Sequence, residues 1–263
     1  MAVAVTVFDD AGSLAADLAG QIADGISGAR DAGARYVLGC PGGRTPRLTY
    51  LALSREVRRR GLALDHVVIA MMDDYVLPDG DGFAHVAADA HFSCRRFARE
   101  EIAAVLNGGA AAPVPEEAVW FPDPADPAAY DGRLEQAGGI DLFLLASGGS
   151  DGHVAFNPPG APRDSRTRIV RLAETTKADN LGTFPGFADL AEVPGHGVTV
   201  GIDTIAGLSR RLVLVVTGAH KREALRRISG ADAYDPGWPA TVVTEGADAA
   251  VYADRAAAGR PAP

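Results

Sequence analysis

Two patterns alternate along the chain. Short runs that are apolar at nearly every position fall at residues 35–39, 66–72, 140–146 and 212–217. Runs apolar on both sides suit strands covered on both faces of a parallel sheet. Residues 3–8 and 198–202 read as further strands, and 166–172 alternates charged and apolar residues as a half-exposed strand does. Between these runs, apolar residues recur every third or fourth position, which predicts helices over 11–32, 46–60, 91–106 and 220–228. Thr45 followed by Pro46 suits an N-cap with proline in the first helical position. The Asp- and Gly-rich segment 77–90 reads as a loop or lid. A Pro- and Gly-rich connection follows the 91–106 helix, with a short strand at 119–121. Weak elements at 240–243 and 249–253 precede a Pro-Ala tail expected to fray. Strands alternating with helices predict an α/β fold, a single doubly wound, mainly parallel sheet with helices on both faces (Rossmann-like). One domain over residues 1–263 is expected, with no internal repeat.

Composition narrows the function. A 263-residue chain with 47% apolar residues has the material for a sizeable core. The net charge of −9 argues against nucleic acid as the main partner, while leaving room for a small phosphorylated ligand that needs only a few local donors. The two cysteines, Cys40 and Cys94, have no metal-ligand spacing and point to a reducing compartment. The opening MAVAVTVFDD lacks the basic start of a signal peptide, and no apolar run approaches membrane-spanning length, so a cytoplasmic protein without membrane contact is expected.

Four polar clusters directly follow expected strands: Gly42, Gly43, Arg44 and Thr45; Asp73 with Asp74; Asp151 with His153; and Lys221 after Gly218. Each has a plain reading as a turn, a solvated pair or a hydrogen-bonded side chain, and the glycine turn lacks the P-loop pattern. Lys221 at a helix start opposes the helix dipole, which favours an anion at that end. Strand ends in such a sheet converge on one edge, where ligands bind. Together the clusters describe an anion pocket of backbone amides and a lysine, facing a carboxylate and an imidazole.

The motif DGHVAFN at 151–157, with MMDDYV at 71–76, LGCPGGRTP at 38–46, SRTRIVRL at 165–172, TTKADN, VTVGIDTI and TGAHKREAL, resembles the glucosamine-6-phosphate deaminase family, within the wider group that includes 6-phosphogluconolactonases. The likeness runs at least from Val37 to about Asp254. It implies that Asp73 is the general base moving a proton from C2 to C1 of an open-chain sugar, with Asp74 a neighbouring acidic position. It implies that His153, oriented by Asp151, assists ring opening. Gly42, Gly43, Arg44 and Thr45 then form the phosphate loop, with Lys177 and Lys221 as cationic phosphate ligands. No metal or other cofactor is implied.

One departure stands out: the family pattern DGHIAFNEP carries a glutamate where this chain has Pro158. Proline cannot hydrogen-bond an imidazolium, so a less firmly held His153 is expected unless another acid such as Asp164 substitutes. Ala161, Pro162 and Arg163 lack the serines of the family's allosteric phosphate site, and Val170 stands where a lysine is usual. Activation by an N-acetylated sugar phosphate, and the hexamer that accompanies it, are not expected; a homo-oligomer of another kind is left open. The leading expectation is an aldose–ketose isomerase and deaminase of an amino-sugar phosphate. The alternatives are a sugar-lactone hydrolase and a sugar-phosphate-binding regulator that has lost turnover.

Overall fold

A computed structural model describes residues 3–184 and 186–260. The Pro-Ala tail expected to fray reaches into residues 261–263, outside the described residues. Seven parallel strands form the main sheet: β1 (Ala4–Phe8), β2 (Tyr36–Cys40), β3 (Val67–Met71), β6 (Val119–Trp120), β7 (Leu142–Ala146), β10 (Leu212–Val216) and β11 (Ala249–Asp254), in the order β1-β11-β10-β7-β2-β3-β6. From β2 the chain steps outward to β3 and β6; from β7 it steps the other way to β10 and β11. The reversal falls between β2 and β7, the switch point at which such sheets open a crevice. Gly39 lets β2 and β7 pack there, because a Cβ on it would lie 2.1 Å from the Phe143 ring.

Alternation along the buried strands assigns the two faces. Leu38, Cys40, Ile69, Met71, Leu142 and Leu144 pack against α1 (Ala11–Asp31) and α2 (Arg47–Arg60). Val37, Val68, Ala70, Phe143 and Leu145 face the other way, onto α5 (Pro127–Gln136), α7 (Ile202–Gly207) and α8 (Arg222–Ser229). The doubly wound parallel sheet thus stands as expected. The segment 91–106 becomes a helical run from Ser93, whose side chain caps α3 (Cys94–Phe97), through a π-helical stretch at Ala98–Ala103 to α4 (Ala104–Asn107). No helix of the described residues is long and apolar enough to cross a membrane.

The addition is a second, four-stranded antiparallel sheet, ordered β5-β4-β9-β8, built from β4 (Asp73–Asp79), β5 (Gly82–His85), β8 (Arg168–Arg171) and β9 (His196–Thr199). The segment 77–90 is therefore not simply a loop: Asp79 pairs with Gly82 across a tight hairpin whose Gly80 takes a φ of 57°. Helix α5 is a second correction, since the connection after 106 was not expected to be helical. Asp126 accepts from Ala129 N and Pro127 occupies the first turn, a start signal hidden among neighbouring prolines. Helix α6 (Glu174–Thr183) buries only Thr176 and so leaves no apolar stripe in the sequence. Residues 240–243 lie in a 3₁₀ helix, Pro239–Glu245, not in a strand.

Candidate active site

The loops that follow β2, β7 and β10, together with the start of β4, enclose a cavity of about 390 Å³. Gly42, Gly43, Arg44, Thr45, Asp73, His153 and Lys221 all line it. The loop after β2 is tied down by Tyr50 Oη, which donates to Pro41 O at 2.8 Å. Helix α2 begins one residue later than expected, with Pro46 at the N-cap and no side-chain cap, so Thr45 is turned to the cavity wall and not to the helix.

After β7 the chain makes a narrow, self-bonded loop. Ser147 and Val154 bridge, and Gly148 N donates to His153 O at 2.8 Å. His153 Nδ1 lies 2.8 Å from Asp151 Oδ1, which also accepts from His153 N at 3.1 Å. Thr175 Oγ1 donates to Asp151 Oδ2, and Thr176 Oγ1 lies 3.3 Å from His153 Nδ1. Pairing with a carboxylate puts the neutral ring's proton on Nδ1 and leaves Nε2 as the acceptor. Burial pushes the Asp151 carboxyl up, but the His153 and Thr175 contacts outweigh it and hold Asp151 well below the usual carboxylate range. Gly148 is required by this geometry: a Cβ would lie 2.3 Å from His153 Nδ1 and 2.5 Å from Asp151 Oδ1. Ala155, also on the wall, has a φ of 50°, a strained conformation for a residue with a side chain.

On the β10 side, Asp254 accepts from Gly218 N with both oxygens at 3.0 Å and fixes the turn into α8. Lys221 Nζ donates to Ser147 O at 2.6 Å. Burial lowers its pKa, Asp179 raises it, and the neighbouring Arg44 cation lowers it. Lys221 and Arg44 thus concentrate positive charge over a glycine-rich loop, a fit for an anion such as phosphate.

Asp73 opens β4 on the opposite side. Asp73 is 6% exposed, and burial, with a smaller push from Asp74, raises its pKa to about 7 against the pull of Cys94. Cys94 Sγ lies 3.4 Å from Asp73 Oδ1. Tyr75, Phe156 and Phe184 supply an aromatic wall beside it.

Three expected residues stand elsewhere. Asp74 is fully buried and does not line the cavity; it accepts from Tyr75 N, Cys94 N and Arg95 Nε and so anchors the start of α3. Lys177 lies off the cavity with its Nζ 3.5 Å from Glu174. Successive helical residues are turned by about 100°, so Thr176 faces His153 and Lys177 is rotated away. Asp164 is exposed, and neither it nor Pro158 lines the cavity. The imidazole is nonetheless oriented, by Asp151 braced with Thr175. Thr175, Cys94 and the cavity-lining Asp179 and Asn180 were not expected. The paired threonines of TTKADN were the available signal, but nothing local shows that they meet Asp151, 24 residues away.

A family model described as glucosamine-6-phosphate isomerases/6-phosphogluconolactonase matches residues 9–252. The chain is 33% identical over 227 residues to a glucosamine-6-phosphate deaminase of Shouchella clausii, covering 85% of each chain. It is 33% identical over 227 residues to a glucosamine-6-phosphate isomerase of Candida albicans, covering 85% of this chain and 86% of the relative. Among solved structures, a monomeric glucosamine-6-phosphate deaminase superposes with a TM-score of 0.82 at 27% identity, covering 97% of this chain and 99% of the other. A 6-phosphogluconolactonase from Shewanella baltica, at 20% identity, covering 96% of this chain and 97% of the other with a TM-score of 0.66, shares the fold.

Proposed function

Because the chain belongs to the glucosamine-6-phosphate isomerase/6-phosphogluconolactonase family, we propose that it converts a 2-amino-2-deoxyhexose 6-phosphate of the glucosamine 6-phosphate type into the ketose 6-phosphate with release of ammonia. The observation that carries this reading is Asp73, a buried carboxyl on the cavity wall with a pKa near 7. A carbon-acid base is most effective when its pKa lies near the working pH, and lactone hydrolysis calls for no such base.

In this reading the glycine loop, Arg44 and Lys221 hold the phosphate. The acceptor nitrogen of His153, with Nδ1–H fixed on Asp151, takes the proton of the anomeric hydroxyl and returns it to the ring oxygen, which opens the ring. Ionised Asp73 then removes the C2 proton of the aldehyde while the substrate's own ammonium group gives a proton to O1, forming an enolamine, and Asp73 delivers its proton to C1. The product carries an imine at C2. Water adds there and ammonia leaves, so one water is consumed per turnover. The aromatic wall of Tyr75, Phe156 and Phe184 shields the carboxylate from bulk water and keeps its affinity for protons high.

Proton NMR of glucosamine 6-phosphate with the enzyme in heavy water, with ammonia measured in parallel, tests the proposal. Ketose 6-phosphate and stoichiometric ammonia are expected, with C1 carrying deuterium in those turnovers in which the proton held by Asp73 exchanges with solvent before delivery. Hydrolysis of a sugar lactone phosphate without exchange of any sugar C–H would replace it by the lactonase reading.

A further inference from the structure

Among the described residues, one hydrogen-bond donor reaches the Asp73 carboxyl group, and it is a thiol. We infer that Cys94 is the positioning residue of the base: its S–H donates to Asp73 Oδ1, fixes the carboxylate's orientation and favours its ionised form. The inference rests on the function proposed above for Asp73.

The contact is built, not incidental. Sγ and Oδ1 are 3.4 Å apart, and Cys94 and Asp73 are 5% and 6% exposed. The thiol is held in register by the second aspartate: Asp74 Oδ1 accepts from Cys94 N and from Tyr75 N, both at 2.9 Å. Asp74 Oδ2 accepts from Arg95 Nε at 3.1 Å, and Ser93 Oγ accepts from Arg95 N at 3.2 Å. The adjacent aspartates therefore divide the work, Asp74 fixing the start of α3 and Asp73 receiving the thiol that this helix presents.

The donor's identity follows from the surroundings. Burial, then the nearby Asp73 and Asp74, push the Cys94 thiol well above its ordinary range, so it keeps its proton and donates. Tyr75 on the same strand, Tyr50 on α2 and Tyr130 on α5 feel the Asp73 charge but are pushed well up by burial and stay neutral. The charge of Asp74 is met by Arg95, with His85 Nδ1 3.0 Å from Oδ2. His153 and Lys221 line the same cavity from the main sheet. An otherwise unpartnered buried carboxylate is raised steeply by desolvation; a single donor is what draws it back toward neutrality.

The test is a direct titration of Asp73 in protein carrying ¹³C-labelled aspartate, assigned with Asp73→Asn, in wild type, Cys94→Ala and Cys94→Ser without ligand. Loss of the donor in Cys94→Ala should raise the Asp73 midpoint by about half a unit or more, roughly a threefold loss of the ionised fraction below it. Cys94→Ser, with a stronger hydroxyl donor, should return the midpoint to the wild-type value or below it. The acid limb of kcat/KM should follow the same order, since substrate ionisations are common to all three enzymes. Coincident titrations in the three proteins overturn the inference, even if Cys94→Ala unfolds at a lower temperature. If the wild type instead exchanges no C2 proton and releases no ammonia, the proposed function fails, while the titration still decides whether Cys94 governs the carboxylate.

Discussion

Replacing Asp73 by asparagine should abolish turnover and, at neutral pH, stabilise the fold. The carboxyl titrates near 7 in the folded protein against an ordinary value of 3.8. A raised folded-state pKa means that the folded protein binds the proton more tightly than the unfolded chain does. Its stabilising contribution is complete below about pH 4 and is lost as pH rises to about 7. At about 1.4 kcal/mol per unit, some 4 kcal/mol of stability is lost over that interval, and asparagine does not titrate. Asp73 is too buried for solvent screening to reduce this figure greatly. Between pH 5 and 8, the stability of Asp73→Asn relative to wild type should therefore grow by about 2–3 kcal/mol. Urea unfolding followed through the buried Trp120 and Trp238 at four pH values across that range measures it. A constant difference over the range would refute the claim that Asp73 is an ionisable carboxyl raised by burial. Retained ammonia release would refute its role as base.

Three further outcomes follow from the geometry. Lys221→Ala should raise KM for the phosphorylated substrate about 10- to 100-fold, as expected for losing a hydrogen bond to a charged group, while Lys177→Ala changes it less than about twofold; steady-state assays of the two variants side by side check this. Gly148→Ala should lower kcat about 100-fold, because its Cβ must displace His153 or Asp151 by an ångström or so; a crystal structure of the variant should show the shifted ring. Thr175→Val, which strips the donor from Asp151 Oδ2, should lower kcat/KM about tenfold, and Thr175→Ser should restore it.

The parts of the fold legible in the sequence are those buried on both faces. Residues 35–39, 66–72, 140–146 and 212–217 all contribute strands to the parallel sheet, because nearly continuous apolar runs that short suit strands covered on both faces. Two strands of the antiparallel sheet, β8 and β9, were read as strands, but the sheet escaped because its pairings span long distances, Asp73 with Thr199 and Arg168 with Thr199, and β4 and β5 run into an Asp- and Gly-rich segment. Asp73, His153 and Lys221 could be singled out because each follows a strand. The contacts that prepare them could not: Cys94 reaches Asp73 from a helix 21 residues on, and Thr175 reaches Asp151 across 24. Helical phase, unreadable in the polar α6, likewise decided that Thr176 and not Lys177 faces the imidazole.

Only Met72 separates the last residue of β3 from the first of β4, and its carbonyl accepts from Val200 N at 2.8 Å. The proposed base consequently lies on the small sheet, and the proposed phosphate loop on the large one, across a seam one residue wide. On the proposed function, a sugar phosphate gripped at both ends would act as a strut over that seam. Inorganic phosphate or an unphosphorylated amino sugar would grip one side alone and leave the seam unbraced. Slowed hydrogen exchange at the Val200 amide with the intact substrate, and not with the two halves added together, is the mechanical signature of that strut.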